Sequence, residues 1–239
     1  MDDRQTTILR YVIEDYINSA IPIGSQFLAE KYGLGISPAT IRKEMMDLTE
    51  AGYLEQPHTS AGRIPTAKGY HFFVDVVMED IRARNEASDE NKIAKKLQQL
   101  IDEAEREVMP EITEYIADMT RNFVLGWSSD RAFYSDGVKY LLNEPEFNDH
   151  QTLCEMVLFM EDAQDEIPQR LAPTEKVRVF IGNENPISKA QDFSMLACSV
   201  SLPDNAEGTI AIVGPMRMQY RKNIAVLDYL QQYTKELFI

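Results

Sequence analysis

The chain has 239 residues, 44% of them hydrophobic, enough for one or two domains with packed cores. No apolar run approaches the roughly 18 residues of a membrane span, and the opening Met1-Asp2-Asp3-Arg4 carries no secretory-signal pattern, so a cytoplasmic protein with no membrane partner is expected. A net charge of −15, from 24 basic and 39 acidic residues, excludes a protein that coats polyanions indiscriminately.

Ile8, Leu9, Val12, Ile13, Tyr16 and Ile17 recur at helical spacing and predict a first helix with one apolar stripe. Ser25 can cap a second helix through Phe27, Leu28 and Tyr32, after which Gly33-Leu34-Gly35 turns the chain. A third helix is predicted over residues 38–51. Ser37 supplies its N-cap oxygen, Pro38 suits its first position, and Gly52 can take the left-handed conformation that ends it. With Ile41, Met45 and Leu48 turned to the core, about 100° per residue sends Ala39, Lys43 and Met46 to the opposite face and leaves Thr40 and Arg42 on its flanks. Residues 53–56 and 64–66 then read as short strands around the turn Pro57-His58-Thr59-Ser60-Ala61-Gly62-Arg63.

Three helices followed by a basic hairpin follow the plan of a winged helix-turn-helix, and small, polar and basic groups at a helix N-terminus are what a recognition helix offers the major groove. The candidate DNA contacts are Ser37, Ala39, Thr40, Arg42 and Lys43 on the helix, with His58, Thr59, Ser60 and Arg63 in the wing. Residues 1–75 hold 7 basic against 10 acidic side chains, a net of −3. Such a module binds random DNA poorly and depends on the placement of Arg42, Lys43, Arg63 and Lys68 and on helix N-terminal amides. An acidic surface equally suits a winged helix that docks protein without binding DNA, and this is the alternative.

Phe72, Phe73, Val76 and Val77 continue an apolar face, and the charged run 82–91 reads as an exposed linker. Ile93, Leu97, Leu100, Ile101, Ala104 and Val108 form a further helical stripe, which Pro110 should break before it resumes through Ile112, Ile116, Met119 and Phe123. The stripe can pack on the C-terminal domain or form the seam of a homodimer. The seam is the preferred reading, because a reader of inverted repeats needs two copies. Beyond it, residues 177–181, 193–202 and 209–213 are predicted strands and 153–160 and 219–238 predicted helices. Ile224, Leu227, Leu230 and Leu237 lie near one face of the last helix, with Tyr220 and Tyr233 at its margins.

No catalytic constellation emerges. The three histidines are His58, His71 and His150, and only His150 and Cys154, four residues apart, can share a helical face. Two ligands do not close a zinc site, and no phosphate loop, HExxH or GxSxG is present, so neither an enzyme nor a cofactor or metal is expected. Cys154 and Cys198 read as reduced core residues.

Ile13-Glu14-Asp15-Tyr16, Pro22 to Ser25, Leu28 to Leu34, Ser37-Pro38-Ala39-Thr40-Ile41-Arg42, and Gly52 through Thr66 followed by Lys68-Gly69-Tyr70 form one ordered pattern. A second block comprises Asn183 to Pro186 and Gly214-Pro215-Met216-Arg217-Met218-Gln219-Tyr220. Together they resemble the heat-inducible transcription repressor family HrcA. The resemblance implies repression of chaperone operons through an inverted-repeat operator, the CIRCE element, and an active form maintained by the GroE chaperonin. It also implies a GAF-like C-terminal domain interrupted by a dimerisation domain. Typical members are longer, and residues 121–140 join what is widely separated in them, so the inserted domain and the first strands of the GAF-like domain are expected to be missing. The expected architecture is α+β: a winged helix over 1–75, a helical linker and possible dimer seam over 76–125, and a reduced GAF-like α/β domain over 126–239.

Overall fold

The computed structural model describes residues 1–83, 93, 95–100, 108–129, 132–171, 174–187 and 192–238. The chain divides into two units, Met1–Val77 and Met78–Ile239.

The first unit begins with helix α1, Asp3–Ser19. Asp2 caps it, accepting the Gln5 N–H at 2.8 Å while the Gln5 side chain accepts the Asp2 N–H. The predicted stripe Ile8, Leu9, Val12 and Ile13 is sealed from solvent, whereas Tyr16 is half-buried. Helix α2, Ser25–Tyr32, is capped by Gly24 without a side-chain hydrogen bond. Ser25 is therefore its first helical residue and not the cap expected of it, and it is buried. Helix α3, Pro38–Glu50, has Ser37 as cap, and Ile41, Met45 and Leu48 enter the core. Its far end is a Schellman motif: the Gly52 N–H bonds the Thr49 carbonyl and the Tyr53 N–H the Leu48 carbonyl, with Gly52 at φ 78°. Strands β1, Leu54–Glu55, and β2, Ile64–Pro65, pair antiparallel, and Ile23 adds a single bridge to Arg63. Helix α4, Ala67–Ala83, follows. The remainder of the charged run 82–91 lies outside the described residues.

The second unit holds a five-stranded antiparallel sheet in the order β4-β3-β7-β6-β5. The strands are β3 Phe123–Ser128, β4 Phe133–Asp136, β5 Arg178–Ile181, β6 Phe193–Leu202 and β7 Ala206–Pro215. Leu125, Ala211 and Ala197 are register partners on one face, and Val124, Ile212 and Leu196 on the other, as the two-residue period of a strand requires. The first face packs against helix α6, Val138–Leu141, and helix α7, His150–Arg170, through Leu141, Met156, Phe159, Ala163 and Ile167. Helix α5, Met109–Thr120, and helix α8, Tyr220–Phe238, cover the opposite face. Pro110 stands in the first turn of α5, where its missing N–H costs nothing.

Several expectations need correction. The sheet has five strands, not three, because residues 123–136, assigned to a helix end and a lost region, form a hairpin at its edge. Phe123 starts β3 and does not end a helix. Leu97 is fully buried and Ile93 nearly so within one chain, and Gln98 accepts a hydrogen bond from the Tyr233 hydroxyl at 3.0 Å. The stripe therefore packs on its own unit and is not an open dimer seam at that position. Ile101 and Ala104 lie outside the described residues. Tyr220 is fully buried, its hydroxyl 2.7 Å from Ser194 Oγ and donating to the Met216 carbonyl, while Leu237 is exposed. Cys198 is buried, but Cys154 is exposed on α7.

Candidate nucleic-acid interface

Helix α3 presents two faces of different chemistry. Ile41, Met45 and Leu48 are in the core, while Ser37, Ala39, Arg42 and Lys43 are exposed and Thr40 is half-buried. Ser37 Oγ accepts the Thr40 N–H at 3.1 Å and lies 2.9 Å from Thr40 Oγ1, so the Thr40 hydroxyl is partly engaged by the cap. Glu44 turns inward and binds Arg4 and Gln5 of α1 at 3.4 and 3.2 Å. Asp15 is buried and ion-paired with Lys31. The Glu44 carboxylate is thus kept off the exposed face of α3, whose other acids, Asp47 and Glu50, sit towards its C-terminal end. A unit of net negative charge can in this way present a cationic N-terminal half, to which the dipole of the helix adds partial positive charge.

The wing is braced from inside its own loop. Gln56 Nε2 donates to the carbonyls of Thr59 and Ala61 at 2.9 and 3.0 Å, and the Ala61 N–H donates to His58 at 2.8 Å. His58, Thr59 and Ser60 are held exposed at its tip. Gly62 passes so close to the Ile23 backbone that a Cβ there would stand 2.4 Å from the Ile23 carbonyl oxygen. Arg63 departs from its expected place. Its backbone exchanges both hydrogen bonds with Ile23, at 2.9 and 2.8 Å, and its half-buried side chain turns back to donate from Nε to Thr49 Oγ1 at 3.0 Å. Lys68 is likewise occupied: its ammonium bonds the Ala51 carbonyl at 2.8 Å and lies 4.3 Å from the Tyr53 ring centroid, neutralising the negative end of α3. Of the four cations singled out in the sequence, Arg42 and Lys43 stand on the open face, and Arg63 and Lys68 tie wing and helix together.

Ile23, Gln56 and Glu44 escaped the sequence reading. A lone bridge residue has no period to detect, and Glu44 looks like an ordinary surface acid until its partners on α1 are known. Outside this region, His150 and Cys154 do share a face of α7, with Sγ 3.6 Å from Nδ1. Among the described residues no three metal-ligating side chains of the His, Cys, Asp and Glu type come together, and no helix is long and apolar enough to cross a membrane.

The block 214–220 has structural work to do. Arg217 is 10% exposed and forks onto Glu146, at 2.9 Å from Nη2, and also pairs with Glu144. Two carboxylates hold its guanidinium above its usual pKa against the opposing effect of burial. In the block 183–186, Asn185 Nδ2 donates to the carbonyls of Gly182 and Phe193 at 2.9 and 2.7 Å. The profile of the HrcA protein C-terminal domain matches residues 76–224.

The chain belongs to the HrcA family. A heat-inducible transcription repressor HrcA of Caldanaerobacter subterraneus is 30% identical over 333 aligned positions, spanning 99% of this chain and 96% of the relative. Those of Desulfitobacterium hafniense and Moorella thermoacetica are 27% and 28% identical over 339 and 346 positions. With 239 residues here, close to a hundred positions of these relatives face no residue of this chain. A crystal structure of a hypothetical protein shares the fold at a TM-score of 0.79 and 18% identity, covering all of this chain and 98% of the other. Family membership supports a role as a transcription repressor.

Proposed function

We propose that the chain represses transcription by binding an inverted-repeat DNA operator with two copies of its N-terminal unit. Helix α3 enters the major groove with Ser37, Ala39, Thr40, Arg42 and Lys43 among its contacts, and the tip residues His58, Thr59 and Ser60 lie against backbone or minor groove. The observation that carries the reading is the exposed Ala39-Arg42-Lys43 face, standing on a sealed core with the helix's acids turned away or displaced to its far end. Arg63 supports the contact by fixing the root of the wing to α3. The resemblance of the sequence supplies the finer target: chaperone operons with a CIRCE-type repeat, and a GroE-type chaperonin that keeps the repressor active. On this reading the second unit, expected to be GAF-like, serves assembly and sensing.

The test is fluorescence anisotropy with a CIRCE-type inverted-repeat duplex beside a scrambled duplex at two salt concentrations. Specific binding that exceeds binding to the scrambled duplex by at least about 10³-fold supports the reading. Equal and weak binding to both overturns it, in favour of a winged helix that docks protein, which the net acidic charge of residues 1–75 would suit.

A further inference from the structure

Met46 is 48% exposed, although its neighbour Met45 and the other large apolar side chains of α3 are sealed in the core. About half of its side chain is left open to solvent. It stands three residues from Lys43, four from Arg42 and seven from Ala39, so all four share the open face of the helix. The face thus has a fixed order: a small apolar group, a basic pair, then a long flexible apolar side chain, with Glu50 one turn beyond it. Seven residues of α-helix advance about 10 Å, the height of about three stacked base pairs.

A major groove offers hydrogen-bonding edges at every base pair but only one exposed apolar landmark, the C5-methyl group of thymine. An unbranched thioether chain, soft and adaptable in shape, suits contact with a methyl group whose position varies with local DNA geometry. Resting on the DNA-binding reading above, we propose that Met46 is a specificity-determining residue that reads one thymine methyl in each half-site. Ala39 meets a second apolar position about three base pairs away, and Arg42 and Lys43 bond to phosphates or guanine edges between them.

The methyl can be deleted from the DNA as cleanly as the thioether from the protein. Duplexes are first selected from a random-sequence library with the unaltered protein. Each thymine of the selected sequence is then replaced singly by deoxyuridine, and affinities are measured for the unaltered protein, Met46→Ala and Met46→Leu. At one thymine per half-site, loss of the methyl is expected to weaken binding of the unaltered protein about fourfold. Met46→Ala should bind the thymine duplex about fourfold or more weakly and no longer distinguish the two bases there, while Met46→Leu keeps the distinction. Alanine is the stronger helix former, and unchanged thermal melting checks that the helix is intact. Undiminished discrimination by Met46→Ala at every thymine overturns the inference while leaving DNA binding standing. Failure to select any sequence above background overturns the DNA-binding reading and the inference together.

Discussion

The joints that tie α3 to the wing and to α4 span short stretches of chain, those that tie it to α1 reach across 39 and 40 residues, and several that close the second unit span longer ones. Arg63 reaches Thr49 across 14 residues, Thr66 reaches Gly52 across 14, and Lys68 reaches Ala51 across 17. In the second unit Arg217 reaches Glu146 across 71 residues, Gln231 reaches Thr174 across 57, and Tyr233 reaches Gln98 across 135. A recognition helix and wing joined by such short spans form from one continuous segment of chain. A unit closed by distant ones loses its packing as a whole when one is broken, because each joins elements that no local contact would bring together.

The largest expected effect breaks the long-range side of that contrast. Leu97 is fully buried within the second unit, so Leu97→Glu places an unpaired carboxylate in its core, a change that costs several kcal/mol. Calorimetry should show the transition of the Met78–Ile239 unit lowered or lost while that of the Met1–Val77 unit keeps its temperature. If instead the protein melts normally and merely changes mass in sedimentation, the stripe is a subunit seam after all and the burial of Leu97 within one chain is not what holds it.

A second substitution pair separates folding from recognition within the first unit. Ile41 is sealed in the core, and Ile41→Ala should lower that unit's stability by about 2–5 kcal/mol. Lys43→Ala, on the open face two residues along, should leave melting unchanged and weaken operator binding by about 1–3 kcal/mol if it loses a base contact. Normal operator affinity in the stable Lys43→Ala protein would remove α3 from the groove.

The same contrast explains what could be read from the sequence. Helix α3 was legible because a Ser cap, a Pro at the first turn and a Gly after the last fix its ends and phase, and three apolar residues at helical spacing then fix its buried face. The stripe through Leu97 has the same periodicity, and periodicity correctly marks a buried face, but it is silent about what buries it. Gln98, next to Leu97, is bonded to Tyr233 of α8, more than a hundred residues further on. Residues 123–128 were missed as a strand because both faces of β3 are covered, so Phe-Val-Leu-Gly-Trp lacks the alternation of a half-exposed strand and reads equally as the end of a buried helix. Arg63 is only partly legible for a related reason. Its position beside Gly62 is visible in the sequence, but the hydroxyl of Thr49 that captures its side chain is a tertiary neighbour.

Arg63 offers a smaller and sharper test. A guanidinium that binds phosphate contributes to the salt dependence of binding, whereas one that positions the wing through Thr49 does not. Arg63→Ala should therefore reduce operator affinity by about 1 kcal/mol, the value of one net hydrogen bond, with the salt slope unchanged, and Thr49→Val should reproduce the loss. A slope lower by about one unit for Arg63→Ala, with Thr49→Val behaving as unaltered, would return Arg63 to the phosphate backbone.

The smallest effect concerns a short joint inside the long-range unit. Asp149 caps α7, accepting hydrogen bonds from the backbone N–H of Thr152 at 2.9 Å and from its hydroxyl at 3.2 Å, and these bonds, the backbone one foremost, hold its carboxyl below the usual range. A carboxyl whose pKa is lower in the folded than in the unfolded state contributes stability that is fully present above the unfolded value, about 3.9, and is lost as the pH falls through the depressed folded value. Asp149→Asn keeps an acceptor oxygen at the cap but removes the charge that favours the helix N-terminus. The second unit of the Asp149→Asn protein should therefore melt slightly below that of the unaltered chain near neutral pH, and the two curves should converge as the pH is taken below about 3.9. The gap will be far smaller than that produced by Leu97→Glu, since the carboxyl is exposed and its joint spans only three residues. A gap that stays constant across this pH range would mean that the cap acts through hydrogen-bond geometry alone, and that the charge of Asp149 adds nothing to the helix it begins.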